Sequence, residues 1–189
     1  MKKLFWGFLL MFLSFDLELN GHSLDVLPDF VGYILLLRGI DELNEESSLF
    51  KGARPYAIAM AIYSAILWVG ELLAITSGDS MIASFIDLMA MIVALYIAWV
   101  LIQGVMEIES NCGADLHTVD LYKWWKGLVA IQVTAKLLSL LANLANLSII
   151  LGLVTVVALV GLVLNILYLV AWWKSAKAYE NLPESAEME

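Results

Sequence analysis

Residues 81–103 read MIASFIDLMAMIVALYIAWVLIQ, a run in which Asp87 is the single charged side chain. A bilayer core about 30 Å thick takes about 20 predominantly apolar residues as a helix. Inside it every backbone N–H and C=O has to be paired within the segment, which a helix achieves. Three further stretches have the same character: residues 55–77, 124–147 and 148–173. The chain of 189 residues is 62% hydrophobic and 15% charged, more apolar surface than a single soluble core of this size could hide. The fold class expected is an all-α integral membrane bundle.

Working outward, residues 124–173 contain no proline, and as one helix they would run to about 75 Å. They must fold back, and the polar residues between Asn143 and Ser148 are the place to do so. Ser77-Gly78-Asp79-Ser80 supplies a stop and a cap between 55–77 and 81–103, and Pro55 suits a first helical position. Residues 107–122, with Asn111-Cys112-Gly113 as their turn, are expected to form the longest connection. Cys112, the sole cysteine, reads as an inert turn residue.

Toward the N-terminus two shorter segments, 4–19 and 28–43, give about 24 Å of helix each. They either cross a locally thinned bilayer or form a re-entrant hairpin. A re-entrant tip would bury His22, Asp25 and Asp29, so crossing is the preferred reading. Lys2 and Lys3 before an apolar run have the form of a signal peptide, but 16–20 reads DLELN rather than small-x-small, which predicts a retained helix. The expectation is one transmembrane domain, residues 1–178, with six spans, then an acidic disordered tail over 179–189.

Basic residues collect in short cytoplasmic segments. With six spans and the N-terminus inside, Lys2, Lys3, Arg38, Lys51, Arg54, Lys123, Lys126, Lys174 and Lys177 all fall on the cytoplasmic side, leaving only Lys136 within a span. Trp6, Trp99, Trp124, Trp125, Trp172 and Trp173 land near the same interface, where amphipathic rings anchor. Both termini are therefore expected in the cytoplasm. The net charge of −9 argues against a nucleic-acid partner, which needs a basic face; the partners expected are the bilayer, a small solute or ion, and other membrane subunits.

The stretch Ser23-Leu24-Asp25-Val26-Leu27-Pro28-Asp29-Phe30-Val31-Gly32-Tyr33, followed by Leu35, Leu36, Arg38-Gly39-Ile40 and Leu43, resembles a signature of small uncharacterised multi-pass membrane proteins of Firmicutes. The likeness covers about the first fifty residues, through Phe50-Lys51-Gly52-Ala53-Arg54-Pro55. It implies a Gram-positive plasma membrane and assigns no catalytic residues, since that family carries no assigned activity. Physically, Pro28 and Asp29 suit a helix start, and Gly32 and Gly39, seven apart on one face, permit close helix contact.

Ionisable groups inside spans cost about 2.5–3.5 kcal/mol each at a helix centre and normally face a bundle interior. Glu71, Asp87 and Lys136 are three such groups. Glu71 and Asp87 each lie six residues from the outer end of adjacent antiparallel helices, about 9 Å deep. Gln132, Lys136, Ser139, Asn143 and Asn146 form a polar stripe at helical period, and Ser80, Ser84 and Asp87 repeat it; Ser64 lies seven residues before Glu71. Ala57, Ala61, Ala65 and Ala90, Ala94, Ala98 are rows suited to tight packing. The sequence thus predicts a polar intramembrane site of Glu71, Ser84, Asp87, Gln132, Lys136, Ser139 and Asn143. The competing reading is a buried structural ion pair with one carboxyl protonated.

His22, Asp25 and Asp29 fit helix capping better than a metal cluster, lacking a second His or Cys, and no cofactor is expected. A zinc-binding His-Glu-x-x-His, a Gly-x-Ser-x-Gly elbow and a phosphate-binding glycine loop are missing, so an enzyme is not expected. The sequence leaves two functions: a small-solute or ion transport component, or a non-catalytic scaffold or accessory subunit.

Overall fold

The computed structural model describes residues 1–12, 16–19, 22–25, 28–73, 81–145 and 148–182; the side chains of 16–25, 71, 81 and 140–151 lie outside what is described. Six helices follow one another among the described residues: α1 (Lys2–Phe12), α2 (Asp29–Leu43), α3 (Leu49–Leu72), α4 (Met81–Cys112), α5 (Thr118–Ala145) and α6 (Ser148–Glu180). Between α1 and α2 a two-stranded antiparallel hairpin, β1 (Asp16–Leu19) and β2 (His22–Asp25), pairs Leu19 with His22 and Asp16 with Asp25.

That hairpin corrects the expected helix over 4–19. Asp16-Leu17-Glu18-Leu19 alternates polar and apolar residues with period two, and Asn20-Gly21 between the strands is the strongest short-range hairpin signal. At 11 residues α1 is about 16 Å long, and α2 at 15 residues about 22 Å. Neither reaches across a 30 Å core. Three helices rather than six are long and apolar enough to cross a membrane among the described residues: Leu49–Gly70, Ile82–Cys112 and Gly152–Glu180.

The remaining boundaries shift because caps, not hydropathy, set them. Ser47 starts α3 at Leu49, its Oγ accepting from the Leu49 N–H at 3.2 Å while donating to Glu107 at 2.5 Å. Pro55 consequently sits in the second turn, where it removes the bond to the Lys51 carbonyl. α4 runs on past 103 to Cys112 and ends at Gly113, whose φ of +66° and N–H to the Glu109 carbonyl at 3.0 Å make a left-handed cap. The Glu109 carboxylate then accepts from Leu116 N–H (2.8 Å), Thr118 N–H (3.3 Å) and Thr118 Oγ (2.9 Å), starting α5 at Thr118. The expected long loop 107–122 shrinks to residues 113–117. Cys112 belongs to the last turn of α4, its Sγ 3.8 Å from the Glu109 carbonyl. α6 continues past 173 to Glu180, so the expected tail begins helical; residues 183–189 lie outside the described residues.

Helices alternate up and down, and the starts of α1, α3 and α5 meet the ends of α2, α4 and α6 at one end. Ion pairs Lys2–Glu180, Lys3–Glu42 and Arg54–Asp41 (2.9 Å) lie there, as does the Tyr179–Glu46 hydrogen bond. The core sits at this end, the basic end, which carries every Lys and Arg except Lys136. Leu4 and Phe8 of α1, Leu36 and Ile40 of α2, Phe50 and Ala57 of α3, Leu101 and Val105 of α4, Leu121 of α5, and Tyr168 and Trp172 of α6 are buried together. The Phe8 ring is 5.6 Å from Tyr168 and 5.0 Å from Trp172. α1 and α2 cross where glycine faces glycine: a Cβ on Gly32 would lie 2.8 Å from the Gly7 carbonyl, and one on Gly39 would meet Leu4 at 2.6 Å. Of the alanine rows, Ala57 and Ala98 are buried and Ala61, Ala90 and Ala94 pack against the core, whereas Ala65 lies beyond it.

Candidate functional site

Burial in the four long helices stops abruptly away from the basic end. Among the described residues nothing on α3 beyond Met60 is buried, nothing on α4 before Ile97, nothing on α5 beyond Leu128 and nothing on α6 before Tyr168. Ile66, Leu73, Ile82, Phe85, Leu137, Val156 and Leu162 are all exposed there. The candidate polar residues belong to these same unburied halves.

Asp87 is exposed on α4, and the Tyr63 hydroxyl of α3 donates to its Oδ1 at 3.1 Å. Tyr63 was not among the residues singled out from the sequence. Its neighbour Ser64 was, and Ser64 turns back on its own helix, donating to the Met60 carbonyl at 2.8 Å. The signal for Tyr63 is its polar tip within a mainly apolar span, the form of side chain that buries a ring while reaching for a partner. Ser84, one turn before Asp87, is also exposed.

On α5, Lys136 and Ser139 are exposed and Gln132 is half-buried. Trp125 fixes where that stripe looks. Its Nε1 donates to the Leu95 carbonyl of α4 at 3.2 Å, and at about 100° per residue Gln132 and Lys136 fall within about 20° of the same face. Gln132 and Lys136 therefore lie on the side of α5 from which Trp125 reaches α4, whereas the Tyr63 hydroxyl bonds Asp87 from α3. Lys136 stands about 16 Å above Trp125 along α5, and Asp87 about 12 Å above Leu95 along α4, so the two occupy similar heights. Among the described residues no ion pair joins them. The structure brings together Tyr63 and Asp87, and separately aligns Gln132, Lys136 and Ser139. The side chains of Glu71 and Asn143 lie outside the described residues.

Chemically, a carboxylate with one hydroxyl donor retains acceptor capacity for a cation, a proton or a polar solute. An ammonium at similar depth on the next helix supplies the complementary charge. Of His22, Asp25 and Asp29, read from the sequence as capping residues, the side chains of the first two lie outside the described residues; Asp29 is in the first turn of α2, where its charge suits the helix dipole, and the N-cap position, Pro28, carries no side-chain hydrogen bond. His117 adopts φ +58° in the α4–α5 turn, its N–H bonded to the Asp115 carboxylate at 2.8 Å. No protein-family model, curated protein or solved structure matches the chain.

Proposed function

We propose that the chain is a multi-pass membrane protein that binds a small solute or ion in a transport process, through the polar groups Asp87, Tyr63, Lys136, Gln132, Ser84 and Ser139, with Glu71 and Asn143 of the same predicted site. The observation that supports this most is the environment of Asp87: a carboxylate in an apolar span, bonded by one hydroxyl and not neutralised by Lys136. A charge kept only to lock helix register would be expected in a closed ion pair. In the proposed arrangement α5, 28 residues long, crosses beside the three apolar helices. The basic end faces the cytoplasm of a Gram-positive cell by the charge rule and the N-terminal resemblance.

A second reading, an accessory subunit, draws on the unburied halves of α3 to α6, which a partner's helices could cover. Flux of protons and sodium into dye-loaded proteoliposomes separates the two. Asp87→Asn and Lys136→Met are expected to abolish or sharply reduce flux with little change in thermal stability, and Tyr63→Phe to weaken it. Unchanged flux in all three, with altered stability only, contradicts transport and favours the accessory role.

A further inference from the structure

We propose that the groove between α1 and α6 at the basic end holds the headgroup of an anionic phospholipid. The groove encloses about 420 Å³ and is walled by Phe5, Trp6 and Trp173, with Lys2, Lys177 and Glu180 on its rim. Its floor includes Ala176, which is buried and leaves room between the helices. Aromatic walls under a charged rim are the composition of a membrane interface, where indole rings settle at headgroup level, and basic pockets between helices on the cytoplasmic side take anionic headgroups.

Lys2 pairs with Glu180, and the Lys177 ammonium lies 5.3 Å from the centre of the Trp173 ring. The lining carries two cations against one carboxylate, a surplus of one positive charge, which matches the single negative charge of a phosphodiester. Both members of the Lys2–Glu180 pair remain more than half exposed, so Lys2 can share its donors with a phosphate.

Continuity with an acyl track distinguishes this groove from a site for soluble phosphate. Trp173, Val170, Ile166, Val163 and Leu159 succeed one another at spacings of three and four along α6, and all are exposed. They make one apolar strip about 21 Å long leading away from the basic rim. α1 ends at Phe12, so the upper part of that strip is left uncovered by the helix beside it. A lipid seated with its phosphate between Lys2 and Lys177 would lay a chain along the strip. The proposal rests on the basic end lying at a membrane surface; failure of the protein to enter nanodiscs would overturn that premise and not the groove's selectivity.

Native mass spectrometry of the full chain released from nanodiscs of equal phosphatidylglycerol and phosphatidylcholine provides the test. Wild type is expected to retain phosphatidylglycerol preferentially, with Lys2→Gln and Lys177→Gln each lowering retention about fivefold. Glu180→Gln is expected to raise retention, and Lys51→Gln, which neutralises an exposed lysine outside the groove, to leave it unchanged. Equal retention of the two lipids, or an equal loss in Lys51→Gln, would overturn the proposal. Displacement of the bound lipid by millimolar inorganic phosphate would also overturn it, in favour of a soluble-phosphate site.

Discussion

At position 32 the α1–α2 crossing leaves no room for a methyl group, because a Cβ there would meet both Met11 Cγ at 2.5 Å and the Gly7 carbonyl at 2.8 Å. Backbone, unlike the end of a flexible side chain, cannot yield cheaply. Gly32→Ala is therefore expected to cost about 1–3 kcal/mol, read by thermal unfolding in detergent. Gly52→Ala, with nothing within 4 Å, is expected to be neutral or stabilising by up to about 1 kcal/mol. Glu109 makes a different claim: its carboxylate anchors three donors of the α4–α5 turn. Glu109→Ala is expected to destabilise by about 2 kcal/mol, since bonds to a charged acceptor are worth about 1.5–3 kcal/mol. Of these residues Gly32 was legible in the sequence through its seven-residue spacing to Gly39. Glu109 was not, because nothing local announces which carboxylate will cap a helix nine residues later. Asp87 and Lys136 stood out as charges in apolar runs, while their separate neighbours, Tyr63 on one side and the Trp125 face on the other, depended on helix rotation that hydropathy does not report.

At the level of elements, the apolar runs located the four long helices but misplaced their ends. Hydropathy marks where a side chain tolerates lipid, and α4, α5 and α6 continue as helix beyond that limit, to or from Cys112, Thr118 and Glu180. The first helix failed for the opposite reason. Its apolar run was extended into Asp16-Leu17-Glu18-Leu19, where a two-residue period and Asn20-Gly21 favour a hairpin over another turn of helix. Packing between elements is uneven, with the α4–α5 junction pinned by Trp125. Trp125→Phe keeps most of the ring and removes the Nε1 donor to Leu95. It is expected to cost about 1 kcal/mol and to raise amide exchange in α5, while leaving exchange in α2 unchanged; an equal rise in both would argue against a local pin between α4 and α5.

Over the whole molecule, packing strength is concentrated at one end. Surface ion pairs ring that end, and each is worth only about 0–1 kcal/mol. Arg54→Gln, which breaks a pair with Asp41 that is half exposed on both sides, is expected to shift stability by less than about 1 kcal/mol. Phe8→Ala, which empties the contact among Phe8, Tyr168 and Trp172, is expected to cost about 3–5 kcal/mol. Among the described residues, the other halves of α3 to α6 expose apolar side chains such as Ile66, Phe85, Leu137 and Val156, a surface suited to hydrocarbon or partner helices. Spin labels at Ile86, Val156 and Val163, set against Ile102 and Ala171 as buried references, test this most directly in nanodiscs. The three outward positions are expected to show high accessibility to oxygen and low accessibility to a water-soluble nickel chelate, and the two references low accessibility to both. High chelate accessibility at the outward positions would contradict a bilayer-embedded bundle.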